Sequence, residues 1–258
     1  MVNSEYLKNL NKAQKEAVMH LDGPLLIVAG AGSGKTKVLT TRIANIIKEK
    51  KAYPNQILAV TFTNKAAKEM QVRVSKILGS TAVGLSWLGT FHSICAKLLR
   101  KHASAVNLNS NFTIIDTDDQ IRLIKNICKA ENIDVKKLAP KYILAIIDKW
   151  KNKGFYPNEV IINKKDIYEK TILPIYGIYQ QKLTDLNSCD FGDLILHVVR
   201  ILENNPDIRE IYSKNFKYIL VDEYQDTNFI QSKWLKLLSE KNKNICCVGD
   251  DDQSIYSW

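Results

Sequence analysis

Disulfides, zinc and membrane spans are all poorly provided for in this sequence. Its five cysteines (Cys95, Cys128, Cys189, Cys246, Cys247) are odd in number and scattered, and no two form a C-x-x-C pair. Neither a disulfide framework nor a cysteine-based zinc site is suggested. Cys246 and Cys247 lie in the apolar run Ile245-Cys246-Cys247-Val248, where small buried side chains are expected. No apolar run approaches the roughly 20 residues that cross a bilayer. The opening Met1-Val2-Asn3-Ser4-Glu5 lacks the basic-then-apolar build of a secretory leader. Low-complexity tracts and internal repeats are missing as well. Together these absences point to a cytoplasmic protein without membrane contact. Acids are scarce beside bases, 27 against 37, for a net charge of +10. That balance suits a polyanionic partner, because Lys and Arg displace condensed counterions from phosphates. It suits a solvated, lysine-rich surface equally well.

What the sequence does have is alternation. Residues 25–29, 57–62, 112–115, 218–221 and 245–248 are short, apolar runs separated by helical patterns. This is the signature of a parallel α/β sheet with both faces covered by helices. From about residue 116 to residue 215 the reading is helix after helix, for instance 118–130, 141–151 and 168–186. Ile121, Ile124, Cys128 and then Ile143, Ile147, Trp150 recur near helical spacing. The expected division is a sheet domain in two pieces, 1–115 and 216–258, interrupted by an all-helical insertion at 116–215.

Ala29-Gly30-Ala31-Gly32-Ser33-Gly34-Lys35-Thr36 follows the first strand and opens a helix. Strand, glycine-rich turn and helix make the setting of a phosphate-binding P-loop. The glycines let backbone N–H groups curl around phosphate oxygens, and the helix N-terminus adds its dipole. Lys35 is suited to the β- and γ-phosphates and Thr36 to Mg²⁺, with Lys37 next in the first turn. Ala29 stands where the strict pattern has its first glycine. Much later, Ile219-Leu220-Val221-Asp222-Glu223 delivers two acids at the C-terminal end of a buried strand. Open α/β sheets bind ligands at that edge. Asp222 suits the Mg²⁺ shell, and Glu223 suits the orienting and deprotonation of an attacking water. Two acids after a strand are common by themselves; beside a P-loop they imply ATP and Mg²⁺.

Asp222-Glu223-Tyr224-Gln225-Asp226-Thr227 resembles the DExx box of UvrD-like superfamily 1 DNA helicases, the group of UvrD, Rep and PcrA. Residues 10–18 are similar to that family's Q motif, which implies that Gln14 reads the adenine edge. Thr61-Phe62-Thr63-Asn64-Lys65-Ala66-Ala67 resembles motif Ia, Gly89-Thr90-Phe91-His92-Ser93 motif Ib, and residues 248–258 motif III. The motifs run through nearly the whole chain in the family's order. The resemblance implies a RecA-like P-loop NTPase domain in a protein that unwinds DNA with ATP. It implies that Gln253 senses the γ-phosphate and that Phe62, Tyr256 and Trp258 stack single-strand bases. Thr63, Asn64 and His92 would contact the strand. Stacking is sequence-tolerant and worth about 1–3 kcal/mol per base, which suits a translocase. Read singly, Phe62 favours a core position and His92 a structural, hydrogen-bonded role, while Tyr256 and Trp258 are equally packing groups.

The helical insertion matches the family's accessory subdomain. Lys136, Lys137, Lys141, Lys149, Lys151 and Lys153 surround Trp150, with Asp148 the only acid among them. They are either a contact surface at a single-strand/duplex junction or a solvated lysine face. Tyr179-Gln180-Gln181-Lys182-Leu183 and Asp190-Phe191-Gly192-Asp193-Leu194 also echo family segments, with Gly192 where a second acid is common.

Family members continue with a second RecA-like domain that carries motifs IV to VI and the arginines of the far cleft wall. The sequence at hand is expected to stop before it. An arginine finger is worth on the order of 10³–10⁵ in rate. This chain is therefore expected to hydrolyse ATP slowly unless that domain is supplied in cis or in trans. The alternative reading is a truncated, non-catalytic DNA-binding or interaction module, or a remnant without activity. A GTPase is disfavoured because Asn64-Lys65-Ala66-Ala67 lacks the acid of N-K-x-D, and no serine-glycine-glycine signature marks an ABC-type ATPase. RNA is disfavoured by the Tyr224-Gln225-Asp226-Thr227 continuation.

Overall fold

The computed structural model describes residues 5–162 and 166–250. In chain order the elements are α1 (Lys12–Met19), β1 (Leu25–Val28), α2 (Lys35–Lys48), β2 (Ile57–Thr61), α3 (Asn64–Leu78), β3 (Leu88–Thr90) and α4 (Phe91–His102). There follow β4 (Thr113–Ile114), α5 (Thr117–Ala130), α6 (Pro140–Asn152), α7 (Ile167–Asp185), β5 (Ser188–Cys189) and α8 (Phe191–Asn204). The last are α9 (Pro206–Asn215), β6 (Tyr218–Val221), α10 (Phe229–Ser239) and β7 (Ile245–Gly249).

These elements form two compact units. One comprises Met1–Ile94, Asn205–Thr227 and Leu235–Trp258; the other comprises Cys95–Asn204 and Asn228–Trp234. The divisions at 94/95 and 204/205 fall earlier in the chain than 115/116 and 215/216, the divisions expected from strand patterns, and residues 228–234 return to the second unit.

The first unit is an α/β domain around a five-stranded parallel sheet of order β1-β7-β6-β2-β3. Parallel pairing puts every strand's C-terminus at one edge, so the loops that follow the strands share that edge. One face of the sheet is packed by Leu39, Ile43 and Ile46 of α2 and by Met70, Val74 and Leu78 of α3. Their spacing of three or four residues is the apolar stripe of a surface helix. Each such burial contributes about 1.5–3 kcal/mol. Coverage is incomplete at β1, where Leu25 and Ile27 face the core but Leu26 and Val28 are 63% and 54% exposed. The expectation of two covered faces therefore fails at this strand, which among the described residues pairs only with β7.

Two strand assignments also change. Leu88–Thr90 is the fifth strand, although its three residues include Gly89 and show no apolar run. The run at 112–115 contributes only Thr113–Ile114, and these pair with Ser188–Cys189 in a separate parallel ladder of the second unit. Among the described residues, the second unit is thus helical apart from one two-residue ladder. Its core is built from Ile124, Ile127, Ile143, Ile147, Ile172, Tyr176 and Leu183 on α5, α6 and α7, with Trp150 stacked on Tyr176 at 5.9 Å.

Lys151 and Trp150 do not belong to a lysine surface. Both are buried, whereas Lys136, Lys137, Lys141, Lys149 and Lys153 are exposed. Lys151 Nζ donates to Asp190 Oδ2 at 2.6 Å and to Asp193 Oδ1 at 2.7 Å. The Tyr179 hydroxyl also donates to Asp190, and Gln180 Nε2 to Asp193. The two segments around residues 180 and 192 are therefore joined directly, through the same two carboxylates that hold the buried lysine. A Cβ at Gly192 would stand 3.0 Å from Lys151 Cδ, so glycine is the residue that lets the lysine stem pass. Burial disfavours the Lys151 ammonium, but the charges of Asp190 and Asp193 outweigh it and raise its pKa.

All five cysteines are free and buried. Among the described residues, no helix is long and apolar enough to cross a membrane.

Candidate functional site

The glycine-rich turn between β1 and α2 takes the shape its sequence requires. Gly32 and Gly34 have φ of +73° and +88°, the left-handed region that favours glycine. Gly34 is doubly constrained, since a Cβ there would lie 2.9 Å from Gln14 Nε2. Ala29 needs no glycine. Its φ is not positive, its N–H donates to Gly249 O at 3.0 Å, and its carbonyl accepts from Lys35 Nζ at 2.9 Å. Gly34→Ala is accordingly expected to weaken nucleotide binding at least tenfold and to cost about 1–3 kcal/mol, the usual strain of a side chain in a left-handed turn. Titration with a fluorescent nucleotide, beside a thermal melt, measures both. Wild-type affinity in Gly34→Ala would mean that the turn does not hold phosphate.

Gln14 caps α1 in a reciprocal box with Asn11, and its Nε2 donates to Ser33 O at 2.8 Å. Its amide therefore braces the glycine-rich turn directly. Lys37 Nζ donates to the carbonyl of Asn9, tying the first turn of α2 to the same N-terminal segment. Gly30, Ala31, Gly32 and Ser33 are exposed, and Thr36 is half-buried in the first turn of α2.

Lys35 Nζ lies 3.0 Å from Asp250 Oδ2, in a pair almost closed to solvent. Asp250 follows β7, which sits between β1 and β6 in the sheet. Asp222 and Glu223 follow β6. Asp222 is 3% exposed, and its Oδ1 accepts from the Glu223 N–H at 3.2 Å. Burial, and then the negative charge of Glu223, push the Asp222 carboxyl up to about 6, against the Glu223 N–H and Lys35. A buried carboxylate in that state is short of positive charge. It and the Thr36 hydroxyl are oxygen donors of the type a hard dication takes, so the chemistry of these residues fits Mg²⁺. Among the described residues, no group of three or more His, Cys, Asp or Glu side chains forms a metal cage. That is ordinary for Mg²⁺, which keeps waters and takes substrate oxygens.

The other predicted residues stand at the far half of the same edge. Phe62, Thr63 and Asn64 follow β2, and His92 follows its neighbour β3. Phe62 is half-buried with its ring 5.4 Å from that of Phe91, while Thr63 and Asn64 are exposed. The Thr63 hydroxyl accepts from Ala66 N at 3.1 Å and so caps α3. Burial lowers the His92 pKa, which favours a neutral ring. Gln253, Tyr256 and Trp258 lie outside the described residues.

Two residues of the site were not singled out from sequence. Asp250 is the ionic partner of Lys35, and Gln225 reaches across to the end of β7. The signal for Asp250 was available, since it is an acid placed directly after a buried strand like Asp222.

A phosphate-type loop after β1, paired acids after the parallel strand β6 and the β1-β7-β6-β2-β3 order define a RecA-like P-loop NTPase domain. The chain belongs to the UvrD/REP helicase N-terminal domain family, whose model matches residues 10–258. It is similar to a probable DNA helicase II homolog of Rickettsia conorii, with 49% identity over all of this chain and 40% of that protein. It is also similar to the ATP-dependent DNA helicase PcrA of Bacillus subtilis, with 47% identity over all of this chain and 35% of that protein. DNA helicase II of Rickettsia typhi is 48% identical, over 39% of its own length. The chain thus spans about two fifths or less of these curated relatives.

Proposed function

We propose that this chain is the ATP-binding half-site and part of the single-stranded DNA track of an ATP-dependent DNA helicase. The observation that carries the reading is the common sheet edge. Lys35, Asp250 and the acids Asp222 and Glu223 follow three adjacent strands, with Phe62, Thr63, Asn64 and His92 following the next two.

In this reading the Gly30–Gly34 turn and the α2 N-terminus hold the phosphates through backbone N–H groups. Lys35 leaves Asp250 for the β- and γ-phosphate oxygens. Thr36 and Asp222 hold Mg²⁺, which when bound neutralises phosphate charge. Glu223 orients the attacking water and accepts its proton. Gln14 and Lys37 keep the loop in register with α1. Phe62 offers a face for base stacking, and Thr63, Asn64 and His92 grip the strand without reading its sequence. Gln253, Tyr256 and Trp258 are assigned by resemblance to γ-phosphate sensing and stacking. A further RecA-like domain, in cis or in trans, supplies the opposite wall of the cleft and its arginines. The exposed lysines of the second unit face duplex at a junction, and the setting is the cytoplasm.

The test is ATP binding and steady-state hydrolysis by the chain, with and without single-stranded DNA, beside Lys35→Ala. Nucleotide binding that Lys35→Ala abolishes is expected, with turnover lower than that of a two-domain enzyme by on the order of 10³-fold or more. Binding that survives Lys35→Ala would overturn the assignment of the phosphate site.

A further inference from the structure

The residue that follows β6 and carries the general base has an uncommon backbone. Glu223 is in the left-handed region, with φ +51° and ψ +47°. A non-glycine residue stays there only when its surroundings hold it. The local turn supplies part of that hold, through Asp226 N to Glu223 O at 3.0 Å and the Glu223 N–H to Asp222. Neither contact restrains the Glu223 carboxylate itself.

The carboxylate is held by Gln225. Gln225 Nε2 donates to Glu223 Oε2 at 2.7 Å, while Gln225 Oε1 accepts from Asp250 N at 3.1 Å. A primary amide offers a donor and an acceptor side by side at its tip whatever the pH, and the partners fix its orientation. Reversal would set its NH₂ against an N–H and its oxygen against a carboxylate. The approach to β7 is close: a Cβ at Gly249 would stand 3.0 Å from Gln225 Oε1 and 3.5 Å from Gln225 N. Glycine at 249 is what admits the amide. Asp250, whose backbone the amide grips, is also the side-chain partner of Lys35. One continuous chain of contacts therefore runs from the base, through Gln225 and Asp250, to the lysine of the phosphate loop.

We propose that Gln225 is the positioning residue for Glu223, clamping its carboxylate to the end of β7 and so to the residue that pairs with Lys35. This rests on the ATPase reading of the site. When Lys35 turns to phosphate, its contact with the Asp250 carboxylate is released, and the amide carries that change to the base. Gln225 touches no phosphate in this scheme; it acts by holding Glu223 in place. A misplacement of about 1 Å of a reacting group costs on the order of 10²-fold in rate, so the clamp is worth a comparable factor.

The test uses the whole chain with Gln225→Glu and Gln225→Leu. Gln225→Glu keeps an acceptor for the Asp250 N–H but sets a second carboxylate against Glu223. Gln225→Leu removes both contacts. Amide hydrogen exchange at Asp250 should rise at least tenfold in Gln225→Leu and stay near wild type in Gln225→Glu. Single-turnover ATP hydrolysis should fall on the order of 30- to 100-fold in both variants, with affinity for a non-hydrolysable ATP analogue changed less than threefold. Gly249→Ala, which displaces the amide by a few tenths of an ångström, should raise Asp250 exchange and lower hydrolysis in the same direction but less than Gln225→Leu; a change in hydrolysis there with wild-type Asp250 exchange overturns the clamp. Equal Asp250 exchange in wild type and Gln225→Leu overturns the proposal whatever the rates. Wild-type hydrolysis in Gln225→Glu overturns it too. If the wild-type chain binds no nucleotide yet the exchange pattern holds, the ATPase reading fails and the clamp stands.

Discussion

Lys151→Ala is expected to destabilise the helical unit by about 3–5 kcal/mol, the cost of breaking a buried ion pair and stranding its partners. Lys151, Asp190 and Asp193 are all fully buried, and two carboxylates depend on one ammonium. Without it Asp193 keeps only His197, whose Nε2 is 3.9 Å away and whose charged form burial disfavours, so the neutral form of each carboxyl is favoured. The half-buried Asp148, already pushed up to about 6 by burial and by Asp190, cannot share the load. The sign with pH follows. In Lys151→Ala both aspartates have folded-state pKa values above their unfolded ones, so the variant keeps its stability in acid. It loses that stability as pH rises from about 4 through the raised values. Urea unfolding followed by the fluorescence of Trp150, which stacks on Tyr176 in the same core, reports the loss. The deficit should be largest above pH 7 and shrink towards pH 4. Replacing all three charges by apolar residues of similar volume should recover most of it, because the desolvation cost disappears with the charges. A deficit below about 1 kcal/mol at pH 8 would show that water or rearrangement reaches the carboxylates, contrary to their burial.

Asp222→Asn should separate stability from ligand binding. In metal-free buffer the folded Asp222 titrates at about 6, against 3.8 for the unconstrained group. A raised carboxyl pKa contributes stability that is fully present below about pH 4. That contribution is lost as pH rises through about 6, where the buried charge forms. Asparagine never forms that charge, and its Oδ1 still accepts from the Glu223 N–H. The variant should therefore match wild type at pH 4 and exceed it by on the order of 2–3 kcal/mol above pH 7. For a domain of this size that is roughly a 4–12 °C rise in melting temperature. Mg²⁺-dependent stabilisation by nucleotide should vanish in the same variant. Melting curves at pH 4 and pH 8, each with and without Mg²⁺ and ADP, decide the matter. An apo variant no more stable than wild type at pH 8 would mean that Asp222 is not an uncompensated buried charge.

Much of the site could be read from the chain because its signals are local. Glycines 32 and 34 sit where positive φ is needed, and the first turn of α2 follows at once, so the turn is encoded within eight residues. The acids after β6 are adjacent in sequence to the apolar run that buries them. Leu88–Thr90 was missed because three residues with a central glycine carry no periodicity; pairing with β2 makes them a strand. Residues 112–115 were misplaced for the opposite reason, since an apolar run states that a strand is buried but not which partner it finds. Lys151 is the instructive case. It lies four residues after Ile147 and seven after Leu144, on the apolar stripe of α6, so its burial was written in the helical spacing. Its charge and its lysine neighbours concealed that.

Sequence by itself determined the fold class, the glycine-rich turn between β1 and α2, the order of the motifs and the family, because each depends on residues near one another in the chain. Tertiary structure alone decided the pairings. Lys35 meets Asp250 across 215 positions, and Lys151 meets Asp190 and Asp193 across 39 and 42. Gln225 finds the end of β7 across 25. Such choices are made by which strands lie side by side and which charges burial forces to find a partner, and neither quantity exists until the chain has folded.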